Sequence, residues 1–199
     1  MVNNTRTEFS ERQFEIITVA GKLLTRSGVL GLTIKNLAKE MNFSEGAIYR
    51  HFSSKEEIII SMLYYLASDM DVRFSQAINH SDDTETQFQK LFRNQAAFFT
   101  ENPYFVVVVF SDGLMEESER INAAIKKIME TKMSHLMPLI VSGQQNGFLR
   151  TDLSPEDLVH IIMGTFRLLM YKWRNSNFEF NLKVRNDKML ENLLTLIKN

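Results

Sequence analysis

The stretch TIKNLAKEMNFSEGAIYRHF, residues 33–52, decides the fold. Thr33 is placed to cap a short helix that carries Ile34, Leu37, Ala38 and Met41 on one face. Ser44 is placed to cap a second, carrying Ala47, Ile48 and Phe52. Only a few residues separate the two. Upstream, Ser10-Glu11-Arg12-Gln13 reads as a capping box. Behind it Ile16, Ile17, Ala20, Leu23 and Leu24 fall on one helical face, and Gly28 offers a left-handed stop.

Downstream, Ser54-Lys55-Glu56-Glu57 is a second capping box; it opens a long helix through the apolar run Ile58 to Leu66. The polar His80-Ser81-Asp82-Asp83 makes a loop, Gln87 to Phe99 reads helical, and Pro103 suits a first helical position. Four consecutive valines between Phe105 and Phe110 have strand propensity, yet no partner strand is visible elsewhere, so a buried helix is expected. From Glu116 to Asn146 the apolar spacing is helical, with a kink or break expected at Pro138. Gly147 stops that helix, Ser154-Pro155-Glu156-Asp157 starts another, and a last one is expected near Asn186 to Lys198. The reading is all-α, about nine helices: a three-helix unit over residues 1–55 and a larger helical body over 56–199.

Two short helices joined by a tight turn and braced by a third are what major-groove reading requires; the second enters the groove while the first crosses the backbone. With the SSKEE that follows at residues 53–57, the segment resembles the DNA-binding signature of the TetR family of repressors. The resemblance covers about the first 60 residues. Beyond them it rests on helix number and on the Gly147-Phe148-Leu149-Arg150 connection. It implies a DNA-binding transcriptional regulator, with double-stranded operator DNA as partner.

At the start of the first short helix, Thr33 can offer its hydroxyl and nearby amides to a phosphate, while also serving as a plain cap. Ser44, Glu45, Gly46 and Ala47 open the second helix. Small Gly46 and Ala47 let the backbone approach base edges. Glu45 either accepts from a cytosine amino group or is simply a first-turn acid. The resemblance gives Tyr49 a contact to phosphate or thymine methyl, and His51 and Lys55 a backbone clamp. Arg50 is a base or phosphate candidate, or a solvated surface residue. Lys55 also sits at a helix start, where the macrodipole disfavours a cation unless a phosphate compensates. Ile48 and Phe52 face the core.

A net charge of −1 is unpromising for a DNA binder until it is divided. Through Lys55 there are eight Lys/Arg against five Asp/Glu; after it, fifteen against nineteen. The positive share lies at the front.

One such module covers too few base pairs for useful specificity, so a homodimer is expected. The last two helices supply its interface in an intermolecular four-helix bundle, unless their faces are ordinary core. After Lys55 the chain holds eleven of fifteen Phe, nine of eleven Met and the single Trp, side chains that adapt to apolar ligands. The resemblance implies a pocket among the body helices. Phe98, Tyr104, Phe110, Met133, Met137, Met163, Phe166 and Trp173 are its candidate lining, and a small hydrophobic or aromatic effector is the expected ligand.

Without cysteine there is no disulfide or thiolate metal site, and a reducing cytoplasm is the expected compartment. No stretch approaches the roughly 20 apolar residues of a membrane span. No phosphate loop, nucleophile elbow or metal-ligand spacing appears, and His80, His135 and His160 stand apart in sequence, so neither an enzyme nor a cofactor is expected. The pairs Asp82/Asp83 and Glu116/Glu117 read as solvated. A DNA-bound scaffold that recruits a protein and senses no ligand is the alternative.

Overall fold

The computed structural model describes residues 9–79, 81–110 and 118–199. Among them are nine helices: α1 (Glu11–Gly31), α2 (Ile34–Met41), α3 (Glu45–Tyr49), α4 (Lys55–Ala77), α5 (Thr84–Glu101), α6 (Tyr104–Val109), α7 (Glu119–Gln145), α8 (Pro155–Asn175) and α9 (Leu182–Ile197). The fold is all-α, and the valine run is the buried helix α6. His80, Glu116 and Glu117 lie outside the described residues.

Three boundaries differ from the sequence reading. Gly28 has positive φ (63°) and interrupts the helix as expected, but a further short helical segment follows it to Gly31, so α1 extends past the expected end. At Pro138, where a kink or break is expected, α7 runs on without a break, and buried Leu136, Leu139 and Ile140 hold the flanking turns against the core. The last helix starts at Leu182, because the side chain of Asn181 accepts from the Val184 amide and caps it.

The chain packs as two compact units, residues 1–69 with 102–128, and 70–101 with 129–199. In the first, Ile16, Ala20, Leu24, Leu37, Ile48, Ile58, Leu63 and Phe105 are among the fully buried side chains. Helices α1 and α6 meet at Gly21. A Cβ there would stand 2.8 Å from the Tyr104 ring, so glycine is what permits the approach. Tyr104 donates its hydroxyl to Asn102 Oδ1 at 3.1 Å, and burial pushes its pKa up to about 12.

In the second unit α5 packs on α9, joined at the surface by Arg93–Asp187 (2.7 Å) and Lys198–Glu85 (2.6 Å). The residues after α7 are tied to the end of the chain, Arg150 N–H donating to Ile197 C=O at 3.0 Å. Phe88, Phe92, Phe99 and Phe166 form one aromatic cluster. Lys132 of α7 is buried against it, 5% exposed, with its ammonium 4.1 Å from the Phe166 ring centre and 5.2 Å from that of Phe92. Burial lowers its pKa to about 7.

Two stability measurements check this packing. Gly21→Ala should destabilise the fold by about 1–3 kcal/mol in urea unfolding, since the methyl group must displace the base of the Tyr104 ring. Lys132 has a folded pKa below its unfolded one, so its burial destabilises fully below about pH 7 and progressively less as pH rises toward 10.5. Lys132→Met should therefore raise the melting temperature near pH 6 and give a smaller gain near pH 10.

Candidate nucleic-acid interface

The site is built from the first unit alone. Thr33 Oγ1 accepts from the Asn36 amide at 3.0 Å, and Ser44 Oγ accepts from the Ala47 amide at 3.2 Å. Each hydroxyl acts as acceptor in its cap, which leaves its own proton for an outside acceptor such as a phosphate oxygen. Between the two helices the chain reverses at Asn42, in the left-handed region at φ 54° and ψ 42°. There the Phe43 amide donates back to Ala38 C=O at 2.8 Å, as a Schellman turn requires. Asn is the non-glycine residue best suited to that conformation, a signal the sequence carried at position 42.

Three contacts fix these helices on α1. Arg26 pairs with Glu40 at 3.0 Å and lowers the pKa of that carboxyl. The Arg12 guanidinium lies 4.9 Å from the Phe43 ring centre, and Gln13 Nε2 donates to His51 C=O at 3.4 Å.

Ile48 and Phe52 are buried, at 0% and 3% exposure, so α3 has an inner side and an outer side. Thr33, Ser44, Glu45, Gly46, Tyr49 and Arg50 are exposed, and Ala47, His51 and Lys55 are half-buried. Tyr49 shows 52% of its surface to solvent. A Cβ at Gly46 would meet nothing nearer than Ser44 Oγ at 3.9 Å, so packing within this chain does not require glycine there. Lys35 and Lys39 are also exposed on α2, cations that the sequence reading passed over.

At the start of α4, Glu56 and Glu57 are committed to the first turn of α7. Arg120 pairs with Glu57 at 2.8 Å and with Glu56 at 3.6 Å, and Ser118 donates to Glu56. Lys55 thus stands at a helix N-terminus beside acids that answer another cation.

The eight candidate pocket residues do not fall in one unit. Tyr104 and Phe110 belong to the first, and Phe98, Met133, Met137, Met163, Phe166 and Trp173 to the second. Phe166 sits in the aromatic cluster, while Phe98 stacks under the Arg73 guanidinium at 4.0 Å. Trp173 donates its indole N–H to Phe180 C=O at 3.0 Å and packs edge-on to Phe178, fastening the turn from α8 to α9. Met133, Met137 and Met163 are half-buried. His135, which stands apart in sequence, bonds Asp71 at 2.8 Å. Asp82 pairs with Lys90 at 2.6 Å, and Asp83 accepts from the Thr86 amide at 2.7 Å as a cap. No group of three potential metal ligands occurs among the described residues. Nor is any described helix long and apolar enough to cross a membrane.

The fold and this exposed second helix define a helix-turn-helix DNA-binding regulator. A family model described as bacterial regulatory proteins, tetR family, matches residues 16–62, and one described as a tetracyclin repressor-like C-terminal domain matches 66–196. The chain belongs to the TetR family of transcription regulators. Nucleoid occlusion factor SlmA of Alteromonas mediterranea is 26% identical over 131 residues, 66% of this chain and 67% of that one. The protein of the same name from Aliivibrio fischeri (strain MJ11) is 28% identical over 120 residues, 60% of this chain and 61% of that one. Among solved structures, the ketosteroid transcriptional regulator KstR2 of Mycobacterium tuberculosis superposes with a TM-score of 0.80 at 18% identity, covering 96% of each chain.

Gly46→Ala separates packing from contact. Adding a methyl group inside an open helix should leave stability unchanged or raise it by up to about 1 kcal/mol. If a DNA backbone or base edge approaches here, the same variant should lose at least about tenfold in operator affinity by fluorescence anisotropy.

Proposed function

We propose that the chain is a homodimeric, effector-responsive repressor that reads operator DNA through the outer side of α3 and the start of α2. The observation that carries this reading is the two-sidedness of α3: burial of Ile48 and Phe52 commits Tyr49, Arg50, Glu45 and Gly46 to the outside. In this reading Thr33, His51 and Lys55 grip phosphates, while Ser44, Glu45, Gly46, Ala47, Tyr49 and Arg50 meet the groove. Residues 1–55 act as the reading head and 56–199 as the body that pairs and senses. A protein with this task works beside the chromosome, in the cytoplasm.

Pairing is assigned to α8 and α9. Their outer face leaves Ile161, Leu168, Tyr171, Val184 and Leu196 between 39% and 65% exposed, around a groove of about 510 Å³ that includes Leu169 and Met189. An apolar face of this kind on one chain calls for a second copy. A small apolar effector is supported by the aromatic cluster around Phe166 and by the ketosteroid regulator that shares the fold. Effector binding releases the operator by favouring a dimer whose two heads no longer match the half-sites.

A second reading draws on the names of the relatives, nucleoid occlusion factors. There the bound dimer serves as a scaffold for a protein partner and responds to no small ligand. The two differ in one observable: an effector that releases DNA exists only in the first.

The test is anisotropy on the DNA beside the chain's own gene across a salt series. Wild type should bind tightly and weaken steeply with salt, as phosphate contacts require. Lys55→Ala should weaken binding several-fold and reduce the salt slope by about one. Tyr49→Ala should cost at least about tenfold with the slope almost unchanged. Binding that ignores both substitutions would place the working surface elsewhere.

A further inference from the structure

Lys132 lies on the inner face of α7, one turn after Ile128 and one turn before Leu136, both buried, at a position where the pattern calls for an apolar side chain. Its ammonium is enclosed by Phe92 of α5 and Phe166 of α8, two rings of the cluster that Phe88 and Phe99 complete. No carboxylate among the described residues pairs with it, and burial is the one cause acting on its proton affinity. Ring faces attract a cation but return only part of the hydration it has lost. A methionine here would fill similar volume without that cost. Lys132 thus places a positive charge against apolar rings, and none of the described residues supplies an anion for it.

A ligand that completes such a place has an apolar body to lie among the rings and one negative group to meet the ammonium. A monocarboxylate satisfies both demands. A phosphate monoester would bring a second charge that nothing there neutralises, and a neutral ligand would leave the ammonium as it is.

We propose that Lys132 anchors the headgroup of an apolar monocarboxylate, whose carbon skeleton packs among Phe92, Phe99 and Phe166. This rests on the effector-responsive reading above and names the chemical class of that effector. The carboxylate accepts the Nζ hydrogens directly, and the charged pair replaces the water that burial removed.

The experiment uses the full chain and matched probes, dodecanoate and naphthoate against their methyl esters, below micelle-forming concentrations, with titration calorimetry as readout. Wild type should bind an acid at least about tenfold more tightly than its ester. Lys132→Met and Lys132→Gln, each checked for cooperative unfolding, should bind acid and ester alike. The proposal is overturned if neither acid binds wild type, if ester and acid bind wild type equally, or if either variant keeps the preference. Operator release by the same probes separates this from the broader reading. An acid that binds through Lys132 and leaves DNA affinity unchanged supports the anchor and removes the effector role. An ester that releases DNA as well as its acid keeps the effector role and removes the anchor.

Discussion

A helix of five residues has almost no stability of its own in water, because the initial turn fixes several residues for each hydrogen bond gained. What gives α3 a fixed direction is the burial of Ile48 and Phe52, together with the Asn42 turn that ties it to α2. The rest of the first unit serves that placement. Helix α1 packs on α2, Arg26 and Arg12 clip α2 and the turn from outside, and Gln13 holds the carbonyl of His51. Were Ile48 polar, the outer residues would still be present, but nothing would aim them.

The same logic sorts three of the glycines in the first unit. Gly21 is small because Tyr104 stands against it, and Gly28 adopts a backbone conformation that other residues rarely accept. Gly46 has neither reason, which turns attention from the inside of the protein to whatever meets it from outside.

Much of this was legible in the residues. Hydroxyl caps at Ser10, Thr33, Ser44 and Ser154 all sit where the spacing put them, because a cap is a local bond between neighbours in sequence. Helix number followed from the 3.6-residue period for the same reason. What escaped depends on long-range packing. Pro138 reads as a kink or break, and the buried apolar side chains on either side of it keep α7 from breaking there. Lys132 is not singled out by the sequence, and only packing shows it buried in line with Ile128 and Leu136, one turn away on either side. The Arg120 clamp on Glu56 and Glu57 joins residues more than sixty positions apart, and no periodicity announces it. Around α3 the structure leaves Glu45, Gly46, Tyr49 and Arg50 exposed and Ala47 and His51 half-buried. For the body, the sequence offered aromatic and sulfur side chains, and packing divided them between the two units.

Hydroxyl-radical footprinting of the full chain on its operator tests the central claim most directly. Two heads on a two-fold dimer should protect two patches on one face of the duplex, about one helical turn or a whole multiple of it apart, flanking major grooves. A single protected patch, or protection spread evenly along the DNA, would contradict paired reading by the outer side of α3.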